Sequence, residues 1–466
     1  MLKFLWLLAL TAGQQAMPTS SSLEEKLDAI FKDQLSQGQM VGFSVAVVTE
    51  GKLSLLKQYG YANLEQKTPV TKNSEFAIGS VSKQFTAACL LLLQEDHKLS
   101  LSDPVSEYFP DLTQSSKVTV RDLLNHVSGY RDWYPLDYID RRLTRDIAPE
   151  QVAKQYGSMP LDFNPGEYFS YSNTNYLIAA LVVEKVSGKS FFEFLSNRIL
   201  EPLGMTHTLP YANQGPDFTE RYTRFFQGPQ EVADKEAPGW MLGAGGLIST
   251  PEDIAKWDIA MMNGKILSAD SWDQMFTPRT LSTGEVSTYG LGQNVSIVNG
   301  NLMVSHNGGV AGSRTGNMVC LDRKSAVVWT ANDDQATVGR LNQIADPEGN
   351  RKPMATGGGE VEKSITVQGE SPFHAALKFV EQLQQGRANR RGLSSEMNDL
   401  LTPKRLGEAR STLAGWGDLL GLTIVSGPSE RGNMETTEIL IKFSKGKSVP
   451  ATMMRLPDGR IAEFVF

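Results

Sequence analysis

Two blocks of strand-like sequence stand far apart in this chain, and the stretch between them decides how they can meet. The first, FSVAVVTEGKLSLLKQYGYA at residues 43–62, has apolar runs on either side of Glu50-Gly51 and reads as a β-hairpin. The second holds GLGQNVSIV, LMVSHNGG, TGNMVCL and SAVVWTAN between residues 290 and 332, separated by turn residues. From residue 105 to 240 the apolar positions recur mostly at helical spacing, with loops rich in Pro, Gly and Tyr. Isolated hairpins bury too little to be stable. The pattern therefore predicts an α+β domain whose antiparallel sheet is assembled from both ends of the segment and flanked by helices, with a helical subdomain from the middle. An amphipathic helix is expected ahead of the hairpin, with Ser22 and Glu25 in a capping-box pattern and Leu23, Leu27, Ile30 and Phe31 at helical spacing. The domain is expected over residues 22–345.

At roughly 100–200 residues per domain, a chain of 466 residues has room for two or three. Residues 346–370, rich in Gly, Pro and charge, read as a linker. Residues 371–466 read as a small α+β accessory domain. SPFHAALKFVEQLQQG and TPKRLGEARSTLAGWGDLLG have helical periodicity, and TTEILIKFSKG, SVPATMMRLPDG and RIAEFVF alternate as strands joined by Lys-Gly and Asp-Gly turns. This unit resembles helix-plus-curved-sheet domains of the NTF2-like or cystatin-like kind and carries no chemical motif of its own. Shaping access to a cleft or mediating dimerisation are the roles open to it.

The first residues, MLKFLWLLALTAGQQAMPTSSS, place one lysine before an apolar run too short to span a bilayer, then small and polar residues. Residues 1–16 are read as a secretory signal peptide, with cleavage near Gly13 or Ala16, and no cysteine follows to carry a lipid. The expected location is the periplasm or medium of a bacterium. Two cysteines, Cys89 and Cys320, exclude a disulfide-dense scaffold and a cysteine-rich zinc site, and two buried free thiols are favoured. A net charge of −7, mixed along the chain, shows neither a nucleic-acid footprint nor a patch for anionic membrane. A small-molecule or peptide substrate is the simpler partner, and the sequence leaves the oligomeric state open.

One short motif then matters more than its frequency suggests. S-x-x-K occurs three times, at Ser54, Ser80 and Ser444. Ser54 lies in an expected strand, where positions i and i+3 face opposite sides, and Ser444 at a hairpin turn. Only Ser80 opens a helix, where Lys83 is a neighbour about 5–6 Å away at Cβ and the helix N-terminus favours developing negative charge. Y-x-N also occurs three times, and Tyr171-Ser172-Asn173 is set apart by its surroundings, a Pro-Gly turn and aromatics before a helix. In VSHNGGVAGSRTG, His306 is expected to end a strand, and the glycines after it let a substrate approach the backbone. No G-x-S-x-G surrounds Ser80, and neither H-E-x-x-H nor a P-loop is present.

With GSVSK, LLNHVSGY, FNPGEYFSYSN, VSGKSFFEFLSNRILEPLGMTHT, GAGGLISTPEDIAKW and SHNGG in order over residues 23–345, the chain resembles the class C β-lactamase-like serine hydrolases, which include D-alanyl-D-alanine carboxypeptidases, D-aminopeptidases and esterases. The resemblance implies a β-lactamase/transpeptidase-like fold with Ser80 as nucleophile, Lys83 as its partner and Tyr171 as proton shuttle. It further implies Asn173 as ligand of substrate and lysine, His306 as the third-motif group, and Gly309 pairing its N–H with that of Ser80 as an oxyanion hole. Arg314 is a candidate for a substrate carboxylate or a plain strand-end arginine. Many relatives carry Lys-Thr-Gly where this chain has His306-Asn307-Gly308, which tilts the expectation from a β-lactamase toward a peptidase or esterase. A non-hydrolytic penicillin-binding or sensor protein is the rival reading, and intact Ser80, Lys83 and Tyr171 weigh against it.

Free lysine and tyrosine both hold their protons at neutral pH, near 10.4 and 10. Burial disfavours the ammonium and the ammonium favours a phenolate, so the pair is expected to share one dissociable proton. Attack by Ser80 then gives an acyl-enzyme, with no metal or organic cofactor required. The segment YRDWYPLDY at residues 130–138 is a candidate pocket rim or loop packing, and His126 is expected as a structural helix-end residue.

Overall fold

The computed structural model describes residues 20–36, 40–133, 140–336 and 365–466. The signal-peptide expectation for residues 1–16, most of the 346–370 linker and residues 134–138 of the aromatic segment lie outside the described residues. Strands β1 (Gly42–Thr49) and β2 (Lys52–Asn63) form the first hairpin. It turns on Glu50 and Gly51, with φ 51° and 71°, the paired positive angles whose twist matches that of the flanking strands.

β3 (Thr68–Pro69), β4 (Asn294–Val298), β5 (Asn301–Val310), β6 (Ser313–Cys320) and β7 (Ser325–Ala331) complete a seven-stranded sheet in the order β3-β2-β1-β7-β6-β5-β4. β1 pairs antiparallel with β7, Val45 opposite Trp329 and Val47 opposite Val327, so the two ends of the segment meet at the sheet's centre. Side-chain parity explains why β1 is almost wholly apolar. Phe43, Val45 and Val47 cluster with Leu23, Leu27 and Phe31 of α1 (Ser20–Ser36), while Ala46 and Val48 join the main core on the opposite face.

That core is built by α2 (Lys83–Glu95), α3 (Asn173–Ser187), α4 (Pro238–Gly245) and α5 (Pro251–Met262). Every residue of α2 from Lys83 to Leu93 is buried, as its apolar sequence on all sides requires. Cys89 and Cys320 are both buried.

Several elements differ in extent from the sequence reading. α1 already includes Ser22, so the capping-box pattern does not mark its start. The strand expected over residues 290–298 begins only at Asn294, because Gly290 N donates to the carbonyl of Gln293 in a tight turn. β5 does not end at His306 but runs through Gly308 and Gly309 to Val310, held by its ladder to β6.

The C-terminal unit has its own apolar core between α6 (Pro372–Gln384), α7 (Ser395–Leu400), α8 (Pro403–Trp416) and a four-stranded antiparallel sheet. The strands β8 (Leu419–Arg431), β9 (Met434–Phe443), β10 (Ser448–Arg455) and β11 (Ile461–Val465) follow in spatial order. Ser371, Ser394 and Thr402 cap the three helices with their hydroxyls. Here the sequence reading missed an element. The helix stops at Trp416, where Gly417 takes φ 89°, and the β-branched run Thr423-Ile424-Val425 belongs to β8, an edge strand the helical periodicity had concealed. The unit docks through Phe226, whose ring lies 5.2 Å from that of Phe466 within the second core, and through Lys404 and Arg405, which pair with Glu231.

Candidate active site

Gly79–Ser82 form a 3₁₀ turn that runs directly into α2. The turn sets Ser80 half-buried and Lys83 fully buried, with Lys83 Nζ 2.9 Å from Ser80 Oγ. Two further oxygens surround the amine: Asn173 Oδ1 at 2.7 Å and the carbonyl of Ala244 at 2.6 Å. Carbonyl and amide oxygens only accept, so they occupy two N–H groups and leave the next direction for Ser80. An ammonium gives its third hydrogen to Oγ. A neutral amine presents its lone pair there instead, and can take the hydroxyl hydrogen.

α4 is kinked at Leu242, where φ 26° and ψ −123° leave the helical region, and it ends at Gly245, so the Ala244 carbonyl in its last turn has no helical partner. Freed from the helix ladder, Gly243 O accepts from Thr86 Oγ1 at 2.8 Å and Ala244 O accepts from Lys83. The end of a helix within the GAGG segment thus supplies an acceptor that no side-chain motif announces.

Tyr171, just ahead of α3, brings its ring centroid to 4.9 Å from Lys83 Nζ. The ring rests on that of His126 at 4.3 Å. His126 is completely buried, and burial, reinforced by the charges of Lys83 and Arg431, holds it neutral with its pKa well below the usual imidazole range. Its Nδ1 accepts from the backbone N–H of Ser172 at 3.2 Å, which assigns the hydrogen to Nε2. The rest of LLNHVSGY is scaffolding of the same kind. Asn125 Nδ2 donates to Gly290 O at 2.8 Å, and Ser128 Oγ donates to Asn175 Oδ1 at 2.6 Å.

His306, in β5, is buried beside Tyr171, with ring centroids 6.1 Å apart. Burial, with the charge of Lys83 second, pulls its pKa down to about 3, so the ring is neutral at physiological pH. Its Nδ1 meets the Asn307 carbonyl at 2.6 Å and its Nε2 meets Tyr289 Oη at 2.8 Å. A carbonyl can only accept, so Nδ1 carries the hydrogen and Tyr289 donates to Nε2. Tyr289 gave no signal in the sequence.

β5 packs edge-on against the Ser80 turn. A Cβ on Gly308 would overlap the carbonyl oxygen of Ile78, and one on Gly79, which takes φ 50°, would stand 2.8 Å from Gly309 N. Glycine at these positions lets two backbones touch. A small cleft results, bounded by Gly79, Ser80, Asn173, Ala244 and Gly309, with Trp133 and Met241 as apolar walls. Trp133 also packs on Trp240 at 5.3 Å, so it serves both as packing and as wall, while Tyr130 is buried. Arg314 is not among the residues bounding the cleft. It is the second residue of β6, opposite Gly309, and its Nε donates to the Asp334 carbonyl at 2.7 Å.

Sequence reasoning also missed Asp132. Its Oδ1 accepts from Asn173 N at 2.9 Å and Asn173 Nδ2 at 3.2 Å, fixing the amide whose oxygen holds Lys83. It lay within a segment whose aromatics drew the reading.

Comparison with known proteins identifies the family and the fold. The family model described as Beta-lactamase matches residues 27–346. A penicillin-binding protein of Bacillus subtilis (strain 168) is 29% identical over 315 residues, covering 63% of this chain and 68% of that protein. Among solved structures, the D-amino acid amidase of Ochrobactrum anthropi SV3 superimposes with a TM-score of 0.61 at 26% identity, covering 70% of this chain and 97% of the amidase. The octameric penicillin-binding protein homologue of Pyrococcus abyssi covers 95% of this chain and 98% of its own with a TM-score of 0.63, and at 20% identity it speaks for the fold alone.

Proposed function

This chain belongs to the Beta-lactamase family, and from that premise we propose that it is a serine hydrolase that cleaves amide or ester bonds through an acyl-enzyme on Ser80. The observation that carries this reading is the contact of 2.9 Å between Lys83 Nζ and Ser80 Oγ, with two accept-only oxygens directing the amine at the hydroxyl. Lys83 takes the hydrogen as Oγ attacks a carbonyl carbon. The oxyanion develops between the N–H groups of Ser80 and Gly309, where losing one donor costs about 2.7–4 kcal/mol of barrier. Tyr171 passes a proton to the leaving amine or alcohol and later draws one from the water that releases the acyl group.

The neutral His306 supports a D-amino-acid amide or ester, or a peptide cleaved away from its C-terminal carboxylate, as substrate over a β-lactam. A neutral imidazole, with both nitrogens already engaged, offers no cation for a carboxylate beside the scissile bond. Arg314, tied back to Asp334, is the strand-end arginine in this reading. No helix among the described residues is long and apolar enough to cross a membrane. With the apolar run of residues 1–16, we place the enzyme outside the bacterial cytoplasm.

The test is turnover of p-nitrophenyl esters, D-amino acid amides, D-alanyl dipeptides and a chromogenic cephalosporin by the native protein beside Ser80→Ala. Turnover of an ester or D-amide that vanishes in the variant is expected. Equal rates for both proteins on every substrate would refute the proposal.

A further inference from the structure

The strand that the sequence concealed ends against the wall of the cleft. Arg431 is the last residue of β8, at a hairpin whose next residues, Gly432 and Asn433, take φ 59° and 63°. From there its guanidinium crosses to the main unit and donates to Asp132 Oδ2, from Nη2 at 3.1 Å and from Nε at 3.3 Å. The carboxylate is 1% exposed. Its other oxygen, Oδ1, accepts both the backbone and the side-chain N–H of Asn173.

An asparagine amide can be turned either way, and its neighbours choose. A carboxylate accepts and cannot donate, so Asp132 requires Nδ2 on its side and thereby turns Oδ1 to Lys83. Arg431 holds Asp132 to that task and matches its charge within the buried site. Trp133, the next residue in the chain, is a wall of the cleft.

We propose that Arg431 is a positioning residue for the Ser80 centre, acting through Asp132 and Asn173 on Lys83, so that the C-terminal unit completes the active site. This rests on the serine-hydrolase reading above. The loss of a chain of this kind misplaces a catalytic group by up to about an ångström, which can cost up to about 100-fold in rate.

The experiment uses the full chain, with p-nitrophenyl butyrate turnover and the rate of Ser80 labelling by a fluorophosphonate as readouts. Arg431→Ala should lower kcat by about 10- to 100-fold, with KM changed by no more than about twofold and labelling slowed in parallel. Arg431→Lys, which keeps the charge and one donor, should recover part of the loss. It carries the test if the alanine variant does not fold, and should then fall measurably below the native protein in kcat alone. The double variant Arg431→Ala with Asp132→Asn should be no slower than Asp132→Asn by more than about threefold, since both act on one amide. A native-like kcat in Arg431→Ala, losses that multiply in the double variant, or a loss confined to KM would each overturn the proposal. Ser80→Ala, run alongside, separates the two claims: a fully active Ser80→Ala removes the serine-hydrolase reading itself, whereas a dead Ser80→Ala beside a native-like Arg431→Ala removes only the role of Arg431.

Discussion

Lys83 in the main unit and Arg455 in the C-terminal unit are both cations sunk in protein, 0% and 2% exposed, yet they are held in opposite ways. Arg455 stands directly across the sheet from Glu435, to which its Nε donates at 2.7 Å, and it also reaches the Glu370 carbonyl. Around Lys83 stand the hydroxyl of Ser80, the amide oxygen of Asn173 and the carbonyl of Ala244, all neutral. A carboxylate locks its cation in place, and losing the cation strands a buried charge. Neutral oxygens orient an amine while leaving it able to give up and regain a proton. The first arrangement holds a structure together, and the second is suited to chemistry.

The contrast is broken most directly by removing each cation. Lys83→Met keeps length and apolar bulk, so turnover should fall about 1,000-fold or more while unfolding free energy stays level or rises by about 1–2 kcal/mol. Turnover assays and urea titrations read the two effects separately. Arg455→Met should do the reverse, costing about 3–5 kcal/mol because Glu435 is left buried without its partner, with kcat within about threefold of native well below the melting temperature. A lysine variant that unfolds, or an arginine variant that folds stably but is inactive, would erase the distinction.

Next in size is Gly308→Ala. The added methyl would drive β5 away from Ile78 and widen the gap between Gly309 and Ser80. A loss of about 100-fold in kcat is expected, and full activity would show that this close approach is dispensable.

The smallest effect concerns His306. Its folded-state pKa, about 3, lies below the free value near 6.5. Its contribution is therefore full above pH 6.5 and is lost as pH falls toward 3, at no more than about 1.4 kcal/mol per pH unit for one proton. His126 is shifted in the same direction by burial and adds to the decline. His306→Gln should shallow the loss of stability between pH 6.5 and 4.5 without abolishing it, as urea titrations at several pH values would show. An unchanged slope would mean that His306 is not held neutral.

What was legible in the sequence follows from which signals are local. Strand parity in β1, the Glu50-Gly51 turn and the three S-x-x-K copies could be sorted by periodicity, because each depends on a few adjacent residues. So could Tyr171-Ser172-Asn173, once its Pro-Gly turn and helix were seen together. Asp132, Tyr289 and the Ala244 carbonyl could not. Each matters through a partner at least 17 positions away: Asp132 through Asn173, Tyr289 through His306, Ala244 through Lys83. A backbone carbonyl left free where α4 ends at Gly245 has no residue-type signature at all. β8 escaped for a different reason. Its alternation is interrupted by Gly427-Pro428, and only Gly417 and Asp418 separate it from the helix, so the helical period reads on past Trp416.

The central claim is that Lys83 primes Ser80 as a nucleophile, and trapping the covalent state tests it most directly. Native protein mixed with p-nitrophenyl butyrate, quenched in acid within milliseconds and digested should yield a butyryl adduct on the peptide containing Ser80, and Lys83→Met should yield none. An adduct on another residue, or equal labelling of Ser80 in both proteins, would contradict the account.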